Sequence, residues 1–189
     1  MLETEINPND LKWYSEIEAA QIVSNPNVIN WNDEADLVVI GLGGAGIAAA
    51  NEALDQGYSV IGIDKTSGGG ATARSGGIFY AGGGTPIQKE AGVEDSVENM
   101  FNYLIQETGD IVKDSTLKKF CETSAENTEW LMDNGVQFNS QYYQTKTSYP
   151  GSGYFLYHSD NSLVPSYMEK ASPAPRGCLL YTSPSPRDS

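Results

Sequence analysis

The chain has 189 residues and a formal net charge of −14, from 25 acidic against 11 basic residues. This charge argues against nucleic-acid binding and against docking on anionic lipid, because both need Lys and Arg placed against phosphates. No stretch approaches the roughly 18 apolar residues of a membrane span, and the acidic N-terminus lacks the basic segment of a secretory leader, so we expect a cytoplasmic protein of one domain or part of one.

The predicted elements begin after a polar extension, residues 1–34, in which a short capped helix is expected over about residues 10–23. The β-branched run 35–40 is typical of a buried parallel strand. The Ala-rich residues 47–56 then predict a helix, and residues 58–64 predict a second strand. Strand, helix and strand in this order form a βαβ unit, so the sequence predicts an α/β, Rossmann-like fold.

A glycine-rich turn joins the first predicted strand to the helix. Gly41, Gly43 and Gly46 form a G-x-G-x-x-G pattern, which allows a tight turn, backbone approach to a pyrophosphate, and close packing of helix on strand. The helix N-terminus adds a partial positive charge for the phosphates. Asp64 follows Gly46 by 18 residues, near the usual ~20 for the acid that accepts hydrogen bonds from the hydroxyls of an adenosine ribose. We expect it to bind both hydroxyls and to repel a 2′-phosphate, which argues against NADP.

A second glycine-rich segment, residues 65–77, distinguishes between the remaining dinucleotides. In a simple NAD dehydrogenase the second strand leads into another helix, whereas here it leads into a long loop that contains small hydroxyl residues. Backbone amides in such a loop can line a phosphate and then the edge of a flat ring system. The loop therefore departs from the pattern of a simple NAD dehydrogenase.

Two amphipathic helices follow, one opened by Asp95 or Ser96 and one capped by Asp114. Cys121 lies on the apolar stripe of the second helix and is expected to be a buried, inert thiol. The single histidine, His158, lacks clustered metal ligands, so we expect a surface or locally hydrogen-bonded residue and no metal site. Residues 136–177 predict short strands and loops. Their tyrosines indicate either an aromatic wall for a flat apolar substrate or, as we favour, irregular packing: Tyr142, Tyr143, Tyr149, Tyr154 and Tyr157.

Three stretches resemble the FAD-dependent oxidoreductase 2 family, which includes succinate dehydrogenase and fumarate reductase flavoprotein subunits and 3-ketosteroid Δ1-dehydrogenases. They are residues 40–46, Asp64 with Lys65, and residues 69–77. The last stretch is more similar to the steroid-dehydrogenase branch, which has Ser at the position of Ala71. The resemblance covers about residues 33–177 and implies an incomplete Rossmann-like FAD-binding domain.

The resemblance also implies which residues hold the cofactor. Members with covalent flavin have a His at the position of Gly70, so FAD is expected to be non-covalent here. The catalytic Arg or Tyr residues of the family lie in other regions, so no catalytic residue is assigned. The implied FAD contacts are Gly41, Gly43, Gly44, Ala45 and Gly46 for the pyrophosphate, Asp64 followed by Lys65 for the ribose, and Gly70, Ala71, Thr72, Ser75, Gly76 and Gly77 for the phosphates and isoalloxazine.

The activity implied by the resemblance is hydride transfer between flavin N5 and a small-molecule substrate, at a carbon adjacent to a carbonyl. A 3-ketosteroid-like substrate is favoured and the electron acceptor is left open. The alternatives are an enoate reductase of the fumarate reductase kind, an NAD-binding Rossmann domain, and an inactive truncated fragment without bound flavin.

The end of the chain does not read as native protein. Residues 178–188 match the translation of a widely used sequencing adaptor, so we expect residues 178–189 to be a non-native tail. The remainder would be the N-terminal piece of a longer chain. Within it, residues 35–177 are expected to be the N-terminal part of the FAD-binding domain, and a substrate or cap region could start near residues 136–177.

Overall fold

The computed structural model describes residues 22–180. These residues belong to two compact units that meet in the sequence between Gly70 and Ala71. The short helix predicted over residues 10–23 lies outside the described residues except for its last two positions, which are not helical. Most of the predicted tail, residues 181–189, also lies outside them.

The first unit contains the predicted βαβ unit. Strand β1 (Leu37–Ile40) and strand β2 (Val60–Ile63) pair in parallel, and helix α1 (Gly44–Asp55) connects them. The helix begins three residues before the predicted start, because the last glycines of the turn already belong to its first turn. The α/β fold class predicted from the sequence is therefore confirmed.

The burial predicted for the first strand is wrong. Val39 is the one buried apolar side chain among the described residues of this unit, whereas Val38, Ile40 and Ile63 keep 49%, 84% and 49% of their surface exposed. Helix α1 packs against both strands, but two strands and one helix cannot cover both faces of a sheet. The apolar run therefore predicted a parallel strand correctly, but it did not predict how exposed the side chains of that strand are.

Three helices follow the first strand of the second unit, and two of them were predicted. The N-cap of the first predicted helix is Ser96, whose Oγ accepts a hydrogen bond from the backbone N–H of Asn99 at 3.1 Å. The cap predicted at Asp114 is wrong, because Asp114 is already helical and Lys113 precedes it without a side-chain cap. The negative charge of Asp114 in the first turn still interacts favourably with the positive end of the helix dipole. The helices are α2 (Pro86–Glu90), α3 (Val97–Thr108) and α4 (Asp114–Asp133).

A four-stranded mixed sheet forms the rest of the second unit, in the order β3-β6-β5-β4. Strand β6 runs antiparallel to both of its neighbours, and β4 runs parallel to β5. The strands are short, as predicted for the C-terminal region, and one short helix lies between the last two of them. The elements are β3 (Ile78–Tyr80), β4 (Tyr142–Lys146), β5 (Leu156–His158), α5 (Pro165–Met168) and β6 (Gly177–Leu179).

One hydrophobic cluster of the second unit lies between this sheet and α2. Ile87, Leu156 and Cys178 are each at most 2% exposed and form one cluster, against which Phe79 and Phe138 pack. Cys178 belongs to the predicted adaptor tail, yet it lies in β6 opposite Phe79 and Leu156. The proposed boundary at residue 177 stays a prediction.

Helix α2 depends on a capping box that sequence reasoning missed. The Thr85 side chain accepts from the backbone N–H of Gln88 at 3.2 Å, and the Gln88 side chain accepts from the backbone N–H of Thr85 at 3.1 Å. Both residues are fully buried. Thr85→Val, which keeps the shape and removes the acceptor, should therefore lower the free energy of unfolding by about 1–2 kcal/mol in urea denaturation. Thr85→Ser keeps the hydroxyl and should lower the free energy of unfolding by less. Equal decreases for the two substitutions would contradict a role for the hydroxyl.

Candidate functional site

The glycine turn after β1 has the geometry that its sequence pattern predicts. Gly41 has a φ of +95°, in the left-handed region that favours glycine. A Cβ at Gly46 would lie 1.9 Å from the carbonyl oxygen of Gly41 and 3.2 Å from Cγ1 of Val39, so only glycine lets α1 pack this closely on the strand. A Cβ at Gly43, in contrast, would meet nothing closer than the Cα of Gly70 at 4.0 Å. The turn is tight on its inner side and leaves space beside Gly43 for a ligand.

The N-terminus of α1 is suited to an anion. Gly43 is the N-cap and supplies no side-chain cap, and the first turn, from Gly44 through Ala45 and Gly46, contains no acidic residue. The positive end of the helix dipole is therefore not offset by side chains of its own first turn, which is the arrangement that binds phosphates.

Asp64 lies directly after β2 and joins the ends of the two strands. Its Oδ2 accepts from the backbone N–H of Leu42 at 2.8 Å, and its Oδ1 accepts from the N–H and the Oγ1–H of Thr66, each at 2.8 Å. The bond from Leu42 and those from Thr66 lower the pKa of Asp64, so the carboxylate is ionised at neutral pH. A carboxylate has about four acceptor positions, so about one remains for a ribose hydroxyl where the sequence predicts two bonds.

The second glycine-rich segment begins against the first turn. The backbone N–H of Gly69 donates to the carbonyl of Leu42 at 2.7 Å, and a Cβ at Gly70 would lie 3.1 Å from the Cα of Gly43. Lys65 is exposed beside Asp64. Gly41, Gly43, Gly44, Ala45, Gly46, Asp64, Lys65 and Gly70 thus lie within one unit, at the ends of its two parallel strands.

The remaining predicted site residues lie in the second unit, immediately before β3. A single 3-10 turn spans Thr72–Arg74, and residues 71–76 are exposed. The backbone N–H of Gly77 donates to Ser75 Oγ at 3.4 Å, and Gly77 has a φ of +72°. A Cβ at Gly76 would lie 2.8 Å from the hydroxyl oxygen of Tyr149. Ala71, Thr72, Ser75, Gly76 and Gly77 therefore form an accessible backbone surface that one tyrosine borders.

A buried ion pair supports the glycines that follow β3, and sequence reasoning missed it. Arg176 donates to Asp95 through Nε at 2.8 Å and Nη2 at 2.9 Å, and both side chains are fully buried. Asp95 Oδ2 also accepts from the backbone N–H of Gly83 at 3.0 Å. Burial acts to raise the pKa of Asp95, but the hydrogen bonds and charge of Arg176, together with hydrogen bonds from Gly83 and Asn99, hold that pKa below its usual value. The two residues are 81 positions apart, so no local pattern signals the contact.

His158 is buried and locally hydrogen bonded, one of the two outcomes expected for it. Its Nε2 lies 2.8 Å from the Tyr142 hydroxyl, and its Nδ1 lies 3.2 Å from Ser162 Oγ. Burial lowers its pKa. Cys121 is 1% exposed, as the apolar stripe predicts, and burial raises its pKa to about 11. Neither residue has the surroundings of a reactive group.

Two kinds of feature are absent from residues 22–180. None of the helices there is both long enough and apolar enough to cross a membrane. The same residues contain no group of three or more His, Cys, Asp or Glu side chains arranged to hold a metal ion.

Comparison with known proteins identifies the family. Residues 36–164 match the FAD binding domain family. The chain is 41% identical to a 3-oxo-5-alpha-steroid 4-dehydrogenase from Comamonas testosteroni, over 82% of this chain and 30% of that protein. It is 34% identical to an acrylate reductase flavoprotein subunit from Shewanella woodyi, over 64% of this chain and 24% of that protein. The chain thus spans about a third or less of the length of these relatives.

A solved structure shares the architecture. The crystal structure of 3-ketosteroid-Δ4-(5α)-dehydrogenase from Rhodococcus jostii RHA1, in complex with 4-androstene-3,17-dione, matches with a TM-score of 0.76 at 40% identity. The match covers 81% of this chain and 32% of that chain. The open space beside Gly43, the helix N-terminus without an acid and the ionised Asp64 fit the adenylate half of a dinucleotide. The chain therefore belongs to the FAD binding domain family, and its cofactor is FAD.

Proposed function

We propose that the protein carrying this chain is a flavin-dependent oxidoreductase that acts on a 3-ketosteroid-like substrate. When bound, FAD supplies hydride transfer at N5, here with a substrate carbon adjacent to a carbonyl. The observation that carries the proposal is the glycine turn with Asp64, because its geometry suits the adenylate half of FAD. Relatives at 40–41% identity that are named as steroid dehydrogenases support the substrate class.

The first unit holds the adenylate half of the cofactor in this proposal. The backbone from Gly41 to Gly46 leads into α1, whose N-terminal dipole stabilises the negative charge of the pyrophosphate. Asp64 keeps its negative charge because Leu42 and Thr66 donate hydrogen bonds to it. Its remaining acceptor position binds one ribose hydroxyl, and its charge excludes a 2′-phosphate. Lys65 lies next to it on the surface.

The second glycine-rich segment makes the other contacts in this proposal. Gly70, Ala71, Thr72, Ser75, Gly76 and Gly77 present backbone amides and two hydroxyls along the phosphates and the isoalloxazine. The residue at position 70 is glycine, and no nucleophilic side chain takes its place. We therefore expect FAD to be held without a covalent bond.

A second candidate activity is reduction of a small unsaturated acid. It is supported by the 34% identity to the acrylate reductase flavoprotein subunit. Both activities would use the cofactor contacts proposed above, so only a test with substrates distinguishes them. The electron acceptor and a cytoplasmic location stay predictions.

The test begins with the cofactor. The full 189-residue chain is incubated with FAD or with NAD and passed through a desalting column. We expect FAD to remain with the protein and NAD to be lost, and acid precipitation should then release the flavin into the supernatant. A chain that stays colourless with FAD would contradict the proposal, retention of NAD alone would favour a plain Rossmann domain, and flavin in the pellet would contradict non-covalent binding.

The substrate class is tested on the full-length protein that carries this chain, loaded with flavin, in the absence of oxygen. A saturated 3-ketosteroid should bleach the visible flavin bands if the protein is a steroid dehydrogenase. Reoxidation of the reduced flavin by acrylate or fumarate, with no response to the steroid, would instead establish the enoate reductase activity.

A further inference from the structure

Packing accounts for four of the five tyrosines between residues 142 and 157. The Tyr142 hydroxyl is hydrogen bonded to His158, and the Tyr157 hydroxyl donates to the carbonyl of Ser148 at 3.4 Å. Tyr143 and Tyr154 pack edge to face, with ring centroids 5.3 Å apart. These contacts favour the packing interpretation of the cluster for those four residues. Tyr149 is the exception.

Tyr149 lies against the second glycine-rich segment. A Cβ at Gly76 would be 2.8 Å from the Tyr149 hydroxyl oxygen and 3.2 Å from its Cε2. Gly76 does not have a φ in the left-handed region, so the close approach of the Tyr149 ring, rather than the backbone conformation, is what disfavours a side chain at this position. The phenol therefore sits at the surface that the proposed function assigns to the flavin.

The backbone around Tyr149 is held on both sides. Thr147 Oγ1 donates to the Tyr149 carbonyl at 2.8 Å and accepts from the Tyr149 backbone N–H at 3.3 Å. The carbonyl of the preceding residue, Ser148, accepts from the fully buried Tyr157. The side chain itself is 51% exposed, and its hydroxyl has no hydrogen-bond partner among residues 22–180. A fixed backbone thus presents a phenol whose hydrogen-bonding capacity is unused.

We propose that Tyr149 is a flavin-site residue whose hydroxyl donates a hydrogen bond to the bound flavin, while its ring packs against Gly76. This inference rests on the proposed FAD site and adds a residue to it from outside the two glycine-rich segments. A polar donor at the isoalloxazine changes both the affinity for the cofactor and the energies of its electronic transitions. Both effects are measurable without any substrate.

The test compares Tyr149→Phe with Tyr154→Phe in the full chain reconstituted with FAD. Tyr154 is a matched control, since it is also exposed and belongs to the same cluster but packs on Tyr143 instead of Gly76. Loss of one hydrogen bond should raise the Kd for FAD about three- to tenfold in Tyr149→Phe, measured by flavin fluorescence titration. The visible absorption bands of the bound flavin should shift in the same variant. Tyr154→Phe should leave the Kd and the spectrum unchanged.

The contact with Gly76 is tested separately by a double-mutant cycle in the absence of FAD. Gly76→Ala should lower the melting temperature in the parent and much less in a Tyr149→Ala background, because the ring that the new Cβ meets is gone. Equal Kd values and equal spectra for Tyr149→Phe and Tyr154→Phe would overturn the flavin contact, and additive melting shifts would overturn the packing contact. A parent chain that binds no FAD would instead overturn the proposed function itself.

Discussion

Gly46→Ala is expected to abolish retention of FAD. The new Cβ would be placed 1.9 Å from the carbonyl oxygen of Gly41, and neither atom can move without shifting α1 away from β1. Overpacking that forces backbone to shift typically costs about 1–3 kcal/mol and occasionally more, and a contact this short belongs at the upper end. Because the displaced helix N-terminus is the proposed phosphate site, the Kd for FAD should rise by at least about 100-fold. Fluorescence titration with FAD measures the change.

The control for this substitution is Gly151→Ala. A Cβ at Gly151 would meet no atom within 4 Å, and Gly151 does not have a positive φ, so alanine fits there without strain. It should bind FAD as the parent does and melt at the same temperature. Unchanged FAD affinity in Gly46→Ala would show that close packing of helix on strand is not needed for the site.

Arg176→Met is expected to give the largest loss of stability in the second unit. It leaves the fully buried carboxylate of Asp95 without its cation, and breaking a buried pair on one side typically costs about 3–5 kcal/mol. Denaturation in urea, followed by circular dichroism, measures the loss. Lys118→Met is the matched control, because the Lys118–Glu122 pair is exposed and 3.9 Å apart. It should cost less than about 1 kcal/mol, and similar losses for the two variants would contradict the role of burial.

The same pair predicts how stability depends on pH. In the parent, the pKa of Asp95 is held below its usual value, so its contribution is present above about pH 4 and is lost as the pH falls through the lowered pKa. In Arg176→Met, burial without a cation should raise that pKa instead. The variant should then gain stability on acidification from neutral pH, where the parent does not. Parallel pH profiles for parent and variant would contradict this reversal.

The sequence correctly predicted the elements that depend on residues close together in the chain. The βαβ unit and its glycine turn lie within about 30 consecutive residues, and their periodicity and glycine spacing specify strand, turn and helix directly. The family resemblance carried the choice of FAD. Burial of the first strand was predicted wrongly because the pattern reports apolar side chains and not what covers them.

The rest of the fold depends on contacts between distant positions. Strands β3, β5 and β6 have three residues each, which is too short for a period of two to be recognised. The partners Asp95 and Arg176 are 81 positions apart. Helix α2 did carry a local signal, the capping box of Thr85 and Gln88 with proline at the first helical position.

The two cysteines of the second unit can serve as chemical probes of its local opening. Cys121 in α4 and Cys178 in β6 are each 1% exposed, and burial raises their pKa values to about 11 and about 12. At neutral pH such thiols are protonated and shielded, so an alkylating reagent can modify them only when the surrounding structure opens. The rate of iodoacetamide labelling, read by mass spectrometry at each cysteine, therefore reports how often helix and sheet separate. If FAD slows the labelling, the ratio of the rates without and with FAD gives the free energy by which the ligand stabilises this part of the chain against opening.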